Sequence, residues 1–356
     1  MDMDLNHTHH NITSMVMATA EGQDKLSPYL TNNHGLMQIQ STLIEIMWCI
    51  TGGTTILTNL GILLLMAYHR KLRQPPQAPY MISMFVGSFL SAVFYVLPRH
   101  INTKNSPMLL YPFTCSIMPY LGASFLVNLN FHICILTLNR YLSIEFPFRH
   151  LHYLSYKATA CVLFCLWLLT AAIAALPLMT FVQYNGSICA LNIIAKNENA
   201  RLSQQIYLSV IFTCLLILPL ACFLPCYARI FYIVNVHARR MQGETDSHGH
   251  QSSLNRRNIK AAKQIIILVT LFLICYLPFA IGFMILNVRP GLKYTNTEIH
   301  LIQLLRFIAF SYAAVNPILF ALYTADIKIT IKMYLNAISN LCCKRYPHHH
   351  SYQLSA

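Results

Sequence analysis

Three polar side chains that could form hydrogen bonds between helices, those of Asn128, Asn130 and His132, lie in an otherwise apolar part of the chain. Before Asn139, residues 115–141 carry no acidic or basic side chain except that of His132. An α-helix rises about 1.5 Å per residue, so a helix over this run is longer than the roughly 30 Å hydrocarbon core of a bilayer. Because lipid cannot hydrogen-bond polar groups, we expect the three side chains to face other helices.

The apolar parts of the sequence contain no constellation typical of catalysis. They hold neither a pair of acidic residues nor a cluster of metal ligands. We therefore expect no catalytic site, no metal site and no cofactor. His132 stands alone in its run, and we interpret it as a histidine packed in the core rather than as a ligand.

The elements that position these side chains are predicted to be membrane helices. The chain is 56% hydrophobic and 10% charged, with a mean hydropathy of +0.48, whereas soluble domains carry about 25% charged residues. The formal net charge is +14, and most of the Lys and Arg fall on one side of the predicted membrane. That side is cytoplasmic by the positive-inside rule, and the excess charge does not indicate a nucleic-acid partner.

Seven apolar runs predict the all-α fold class and, within it, a seven-transmembrane helix bundle. The predicted spans are residues 39–67, 79–98, 115–141, 158–182, 204–234, 260–287 and 298–323. The predicted domains are an extracellular N-terminal tail (1–37), the seven-transmembrane domain (38–323), an amphipathic helix on the bilayer surface (324–341) and a cytoplasmic tail (342–356). The polar and basic residues 236–258 are predicted to form a cytoplasmic loop.

Two kinds of modification site agree with this topology. Asn6, Asn11 and Asn185 each begin an Asn-x-Ser/Thr triplet and are glycosylation candidates if they lie outside the cell. Cys342 and Cys343 follow the predicted surface helix and are either palmitoylated or unmodified thiols in a reducing cytosol.

Motifs in all seven runs resemble those of class A (rhodopsin-like) G-protein-coupled receptors, over about residues 38–343. The matching residues are Asn59, Leu97-Pro98, Cys115 with Cys189, Asn139-Arg140-Tyr141, Trp167, Pro219 with Tyr227, Phe272-x-x-Cys275-Tyr276-Leu277-Pro278 and Asn316-Pro317-Ile318-Leu319-Phe320. The resemblance implies a plasma-membrane receptor with an extracellular N-terminus. Such a receptor passes the signal of an extracellular ligand, here unknown, to a cytoplasmic heterotrimeric G protein.

The resemblance also implies roles for single residues. It implies a disulfide between Cys115 and Cys189, and a role in activation or G-protein coupling for a second group of residues. That group is Asn139, Arg140, Tyr141, Tyr227, Tyr276, Pro278, Asn316, Pro317 and Phe320.

Several of these positions depart from the family pattern. Asn139 and Asn258 replace the two acids that usually pair with Arg140, so the resting state is either held less firmly or held by hydrogen bonds and packing instead. Tyr276 replaces a tryptophan and Phe320 replaces a tyrosine. Phe89 stands where the family typically has an aspartate that binds sodium, which predicts no sodium site.

On this alignment a biogenic amine is disfavoured, because Gly122 replaces the aspartate of amine receptors. A Schiff-base chromophore is excluded, because Phe310 replaces the retinal-binding lysine of opsins. Arg99 and Arg306, with His100 nearby, instead favour a ligand carrying a carboxylate, sulfate or phosphate. In the alternative interpretation, Arg306 pairs with Glu45 on the first helix and Arg99 extends towards water.

A second function class remains open from the sequence. The altered activation residues are also compatible with a non-signalling or constitutively active seven-helix protein that acts as a decoy, chaperone or scaffold. A transporter is disfavoured because the chain lacks the internal repeats typical of transporters.

Overall fold

The computed structural model of the protein describes residues 42–75, 77–100, 111–146, 155–180, 182–183, 192–193, 198–243, 249–288, 295–323 and 325–344. The chain divides into two units, Met1–Ile50 and Thr51–Ala356. The described part of the first unit is helical, from residue 42 to residue 50. The second unit contains the rest of that helix and all the other elements.

Seven helices are long and apolar enough to cross a membrane, and we number them α1 to α7. They are α1 (Thr42–Tyr68), α2 (Ala78–Ser91, a π turn at Ala92–Val96, then Leu97–His100), α3 (Tyr111–Glu145), α4 (Tyr156–Thr180), α5 (Glu198–Phe212, a π turn at Thr213–Ile217, then Leu218–Gly243), α6 (Gly249–Val288) and α7 (Asn296–Tyr323). A single helical turn, Arg70–Arg73, follows α1, and α8 (Ala325–Lys344) follows α7. The predicted all-α, seven-transmembrane fold class is confirmed.

Two local features differ from the sequence prediction. Residues 236–258 were expected to form a loop, but α5 continues to Gly243 and α6 begins at Gly249. The polar sequence hid these helical extensions, because they lack the apolar run by which a span is recognised. A small antiparallel hairpin, β1 (Val182–Gln183) and β2 (Asn192–Ile193), was not predicted. Its two-residue strands are too short to show the alternation of apolar and polar residues by which a strand is recognised.

Two π turns precede prolines at the same distance. The turns begin at Ala92 and Thr213, six residues before Pro98 and Pro219 respectively. Proline cannot donate a helical hydrogen bond, and a wider turn is one way for a helix to adjust to that loss. The outer and inner parts of α2 and α5 are therefore joined through wide turns.

The third helix is the most buried of the spans, as its polar side chains predicted. In its most apolar stretch 72% of the residues are buried, against 28% to 56% in the other six spans. Asn128, Asn130 and His132 are each 0–2% exposed. The cysteines follow a more varied pattern, because Cys134 and Cys226 are buried whereas Cys161 and Cys165 on α4 are exposed.

Candidate functional site

A hydrogen-bonded network joins α2, α3 and α4 around Ser83. Trp167 Nε1 donates to Ser83 Oγ at 3.0 Å, and His132 Nε2 lies 2.9 Å from the same oxygen. His132 Nδ1 lies 2.8 Å from the carbonyl oxygen of Asn128. The Asn128 side chain donates in turn to Thr170 Oγ1 at 2.9 Å.

The partners in this network fix the tautomer of His132. The carbonyl of Asn128 can only accept, so His132 Nδ1 carries the hydrogen and Nε2 accepts from the hydroxyl of Ser83. Ser83 accepts at the same time from the indole of Trp167, which can only donate. Both ring nitrogens of His132 therefore have a partner, and His132 is a satisfied core histidine, as the sequence predicted.

The asparagines of α1 and α7 tie these two helices to each other and to α2. Asn59 Nδ2 donates to the carbonyl of Ala313 at 3.0 Å, and Thr58 donates to the carbonyl of Ala314 at 3.1 Å. Asn316 Nδ2 donates to Met84 Sδ at 3.4 Å. These contacts place Asn316 in the buried interior, next to α2.

Two tyrosines hold α6 by its backbone. Tyr227 on α5 donates to the carbonyl of Ile266 at 3.1 Å, and Tyr312 on α7 donates to the carbonyl of Leu268, also at 3.1 Å. Both acceptors lie in the half of α6 that is near Asn139 on α3, and we call this side of the protein the Asn139 end. The two tyrosine hydroxyls can therefore leave these carbonyls without breaking the hydrogen bonds inside α6 itself.

An ion pair links α3 and α5 at the Asn139 end. Arg229 Nη2 lies 2.9 Å from Glu145 Oε1, and the two side chains are 52% and 17% exposed. Asn139 is buried and Tyr141 is half-buried. The sequence analysis missed this pair, although an acid five residues after Arg140 and a cation two residues after Tyr227 were visible in it.

A small cavity opens between α2, α3, α6 and α7 at the Asn139 end, and its volume is about 370 Å³ when the open solvent at its mouth is included. Its lining is mostly apolar, and consists of Gln77, Met81, Met84, Ile133, Leu136, Thr137, Leu268, Val269, Tyr312, Asn316 and Phe320. Phe320 also packs edge-on against Phe85, with ring centroids 5.7 Å apart. The aromatic ring at position 320 therefore forms part of the cavity wall and is held there by Phe85.

At the opposite end of α3, the side chain of Tyr95 occupies the space next to Gly122. A Cβ on Gly122 would lie 2.5 Å from Tyr95 Cζ and 2.7 Å from the Tyr95 hydroxyl oxygen. The Tyr95 ring is 3% exposed and packs on Phe310, with ring centroids 4.9 Å apart. Arg306 lies one turn before Phe310 on α7 and is half-buried. The space that a larger residue at position 122 would use is thus already filled.

These helices and contacts agree with one family of membrane proteins. Residues 58–320 match the family described as 7 transmembrane receptor (rhodopsin family). The chain belongs to this family. Its members are G-protein-coupled receptors rather than enzymes, so the resemblance inferred from the motifs is confirmed, and this receptor is a multi-pass membrane protein.

Curated relatives of the receptor come from several branches of the family. It is 22% identical over 267 residues to the violet-sensitive opsin of Xenopus laevis, covering 74% of this chain and 73% of the opsin. It is 21% identical over 232 residues to trace amine-associated receptor 8b of Rattus norvegicus, covering 62% and 65% of the two chains. It is 27% identical over 201 residues to the substance-P receptor of Aquarana catesbeiana, covering 55% and 47%. The last two matches span less than two thirds of each relative.

One interior position of the receptor differs from the sequence interpretation. Phe89 was expected at the centre of the helices, but it is half-buried, whereas its neighbour Ser88 is 4% exposed. The π turn Ala92–Val96 follows Phe89, and a wide turn changes which residues of a helix face inward. The absence of a sodium site stays a prediction.

The remaining predicted site residues are distributed over the receptor as follows. Tyr276 is 1% exposed, Pro317 is buried and Pro278 is exposed. The side chains of Arg99, His100, Cys115, Arg140, Cys342 and Cys343, and the whole of Asn6, Asn11, Asn185 and Cys189, lie outside the described residues. The roles assigned to these residues stay predictions.

Proposed function

We propose that the receptor passes the signal of an extracellular ligand to a cytoplasmic heterotrimeric G protein, by an outward movement of α5 and α6 at the Asn139 end. The observation that carries this proposal is the attachment of α6 through the hydroxyls of Tyr227 and Tyr312 to backbone carbonyls. A carbonyl inside a helix keeps its own helical donor when a side-chain hydroxyl leaves. Helix α6 can therefore move as a rigid element, and a ligand needs only to prefer the moved state.

The apolar cavity at the Asn139 end supports the same proposal. It is bounded on one side by Leu268 and Val269 of α6. An outward shift of α6 would widen this cavity towards the cytoplasm. An apolar helix of a cytoplasmic partner could then bury its side chains there, a common mode of recognition of helical segments. The family resemblance implies that Arg140 contacts the same partner.

The ligand side of the proposal depends on Arg306. A half-buried guanidinium on α7 is a strong binding group for carboxylate, sulfate or phosphate because of its planar fork of donors. Tyr95 fills the space beside Gly122, so a ligand reaching that depth would have to displace an aromatic ring. We therefore propose an anionic small molecule or lipid that binds outside Tyr95, near Arg306 and Arg99.

The function is tested by expressing the intact receptor and measuring second messengers and recruitment of purified G proteins, with and without a panel of acidic metabolites and lipids. We expect a signal that Arg140→Ala abolishes while surface expression is kept. With an agonist from the panel, Arg306→Ala should lower potency at least tenfold and Arg306→Lys should lower it less. A signal unchanged by Arg140→Ala would refute coupling, and unchanged potency in Arg306→Ala would refute the anionic-ligand proposal.

A constitutively active or non-signalling protein is the second candidate. The Tyr95 ring supports it, because this ring occupies the space beside Gly122 that a deeply bound ligand would need. The same assay separates the two forms. Basal signalling that no compound changes but Arg140→Ala removes indicates constitutive activity. Absence of any signal or G-protein recruitment indicates a decoy, chaperone or scaffold.

The topology and modifications belong to the proposal as well. We propose an extracellular N-terminus glycosylated at Asn6, Asn11 or Asn185, and a disulfide between Cys115 and Cys189. Glycosidase treatment should increase the mobility of the wild type on a gel but not that of the triple Asn→Gln variant. Peptide mapping without reduction should recover the two cysteines in one linked fragment; two separate peptides would refute the disulfide.

The palmitoylation proposal concerns the end of α8. This helix exposes Lys328, Lys332 and Leu335 and buries Ile327, as expected of an element at the bilayer surface. An acyl chain on Cys342 or Cys343 would anchor its C-terminal end. Hydroxylamine-sensitive labelling with a palmitate analogue, lost in the double Cys→Ser variant, is the expected result.

A further inference from the structure

Two elements that carry cations lie next to each other at the Asn139 end of the receptor, where α1 and α7 finish. The helical turn Arg70–Arg73 follows α1 and is anchored by Leu72, which is 7% exposed. Gln77, four residues after this turn, lines the cavity at the Asn139 end, so the turn lies on that side. The turn and α8 expose five cations, which we call the cationic surface: Arg70, Lys71, Arg73, Lys328 and Lys332.

A contact between His69 and Tyr334 brings the two elements together. Nε2 of His69 lies 3.0 Å from the hydroxyl oxygen of Tyr334, and the two rings pack edge-on with their centroids 5.5 Å apart. His69 immediately precedes the helical turn. Lys332 lies two residues before Tyr334, which is about 3 Å along the axis of α8. The cations of the turn and those of α8 therefore flank one contact.

The cationic surface has little acidic sequence around it. The chain contains no Asp or Glu between residues 46 and 144, and Asp326 is the only acid within α8. None of the five cations forms an ion pair with an acidic side chain in the described part of the receptor. Because like charges that are held together repel each other, an anion from outside the chain would stabilise this arrangement.

The cationic surface lies at the level of lipid headgroups. The helical turn begins two residues after Tyr68, the last residue of α1. Ile329, Met333 and Leu335 of α8 are each more than half exposed, as expected of a helix that lies on acyl chains. Long cationic side chains at this depth extend to the phosphates. On the proposed topology the lipid is that of the cytoplasmic leaflet, which holds the anionic lipids.

We propose that the cationic surface binds the headgroup of a phosphoinositide with several phosphates, between the helical turn and α8. An ordinary anionic lipid brings one negative charge, whereas each phosphate monoester on an inositol ring adds about 1.5 to 2. Arginine binds phosphate oxygens through its planar fork of donors, and lysine binds them as a point charge. The proposal concerns a bound lipid rather than the signalling ligand, and it rests on the proposed function only for the leaflet.

The experiment titrates the purified full-length receptor in detergent micelles with phosphatidylinositol bisphosphate, and with phosphatidylserine at equal total charge. Native mass spectrometry counts the bound lipids and gives the apparent affinity. We expect one phosphoinositide per receptor, bound about tenfold or more tightly than phosphatidylserine, since several cations contact one headgroup. Binding that follows total charge whatever the headgroup would overturn the proposal, because it would indicate a diffuse attraction.

Matched substitutions test the place of binding. Lys332→Gln should weaken phosphoinositide binding about fivefold, the effect of one cation at an anionic membrane surface. Lys157→Gln removes another exposed lysine, at the start of α4 and outside the cationic surface. It should change the affinity by less than about twofold, because it does not contact the headgroup. Equal losses in the two variants would overturn the proposal.

A change without any loss of charge tests the contact between the turn and α8. Tyr334→Ala keeps all five cations but removes the ring that packs on His69. It should weaken binding about threefold to tenfold, and Tyr334→Phe, which keeps the ring, should weaken it less. Tyr156→Ala is the control, since this tyrosine on α4 is 86% exposed. Unchanged affinity in Tyr334→Ala would refute a site shared by the turn and α8.

A soluble competitor separates a lipid from its free headgroup. Inositol trisphosphate carries ring phosphates without acyl chains, so it should compete only at about a hundredfold higher concentration than the lipid. Competition at equal concentration would refute the assignment to a lipid. These measurements need neither an agonist nor a G protein. Their failure would leave the proposed coupling intact, and a receptor that does not signal would leave the lipid site intact.

Discussion

Replacement of Gly122 by alanine should destabilise the receptor by a predictable amount. The added Cβ would lie 2.5 Å from Tyr95 Cζ and 2.7 Å from Tyr95 Cε2, whereas carbon atoms in good contact are about 3.5–4.0 Å apart. The ring would have to move by about 1 Å, and its packing on Phe310 opposes that movement. Overpacking of a core costs about 1–3 kcal/mol.

The matched control is Gly53→Ala on α1, because a Cβ there meets nothing within 4 Å. Both variants gain the same helical preference of about 0.5–1 kcal/mol over glycine, so their difference isolates the contact with Tyr95. For a chain of this length, about 2 °C of melting temperature corresponds to 1 kcal/mol. We expect Gly122→Ala to melt about 2–6 °C below Gly53→Ala.

The assay is thermal unfolding of the purified receptor with a dye that becomes fluorescent on reaction with thiols. Cys134 and Cys226 are buried and become reactive on unfolding. A rescue variant, Tyr95→Leu in the Gly122→Ala background, should recover part of the loss because leucine leaves room for the new Cβ. Equal melting temperatures for Gly122→Ala and Gly53→Ala would refute the reasoning, as would a rescue variant less stable than the sum of its single changes.

Two further predictions concern polar contacts. Ser83→Ala should lower the melting temperature more than Ser83→Thr, because alanine leaves both Trp167 and His132 without their shared partner. A buried group that loses its hydrogen-bond partner costs about 1–3 kcal/mol of stability. Equal losses in the two variants would show that the hydroxyl is not needed. Glu145→Gln should lower the melting temperature at 10 mM salt but not at 0.5 M salt. Arg229 is half-exposed, so high salt already screens its attraction to Glu145. A loss that does not depend on salt would contradict this.

The sequence predicted the helices well where burial in lipid dominates. Continuous apolar runs can only be spans, so all seven were found, and the polar residues of α3 were correctly expected to face other helices. The extension of α5 and α6 beyond the membrane was missed, because polar helices resemble loops in composition. In these two extensions, the polar and charged side chains rather than hydrophobicity decide the structure.

The partners of the polar residues were much harder to predict than their burial. Asn130 was identified as inward-facing, but nothing in a linear reading paired it with the carbonyl of Leu215. One signal was available, since a proline at position 219 cannot donate to the carbonyl four residues earlier. The sequence analysis interpreted Gly122 only as a position that lacks the aspartate of amine receptors. Its contact with Tyr95 depends on packing between helices, which no local sequence pattern predicts.

The wide turns in α2 and α5 have a consequence for how such receptors diverge. Each residue of an α-helix advances about 100° around the axis, so a gain or loss of one residue within a π turn rotates everything on its far side by that angle. A single-codon insertion or deletion near Ala92 or Thr213 would turn a different set of side chains inward in the half of the helix away from the Asn139 end. The half on the Asn139 side would keep its contacts, so the two ends of the bundle can diverge separately.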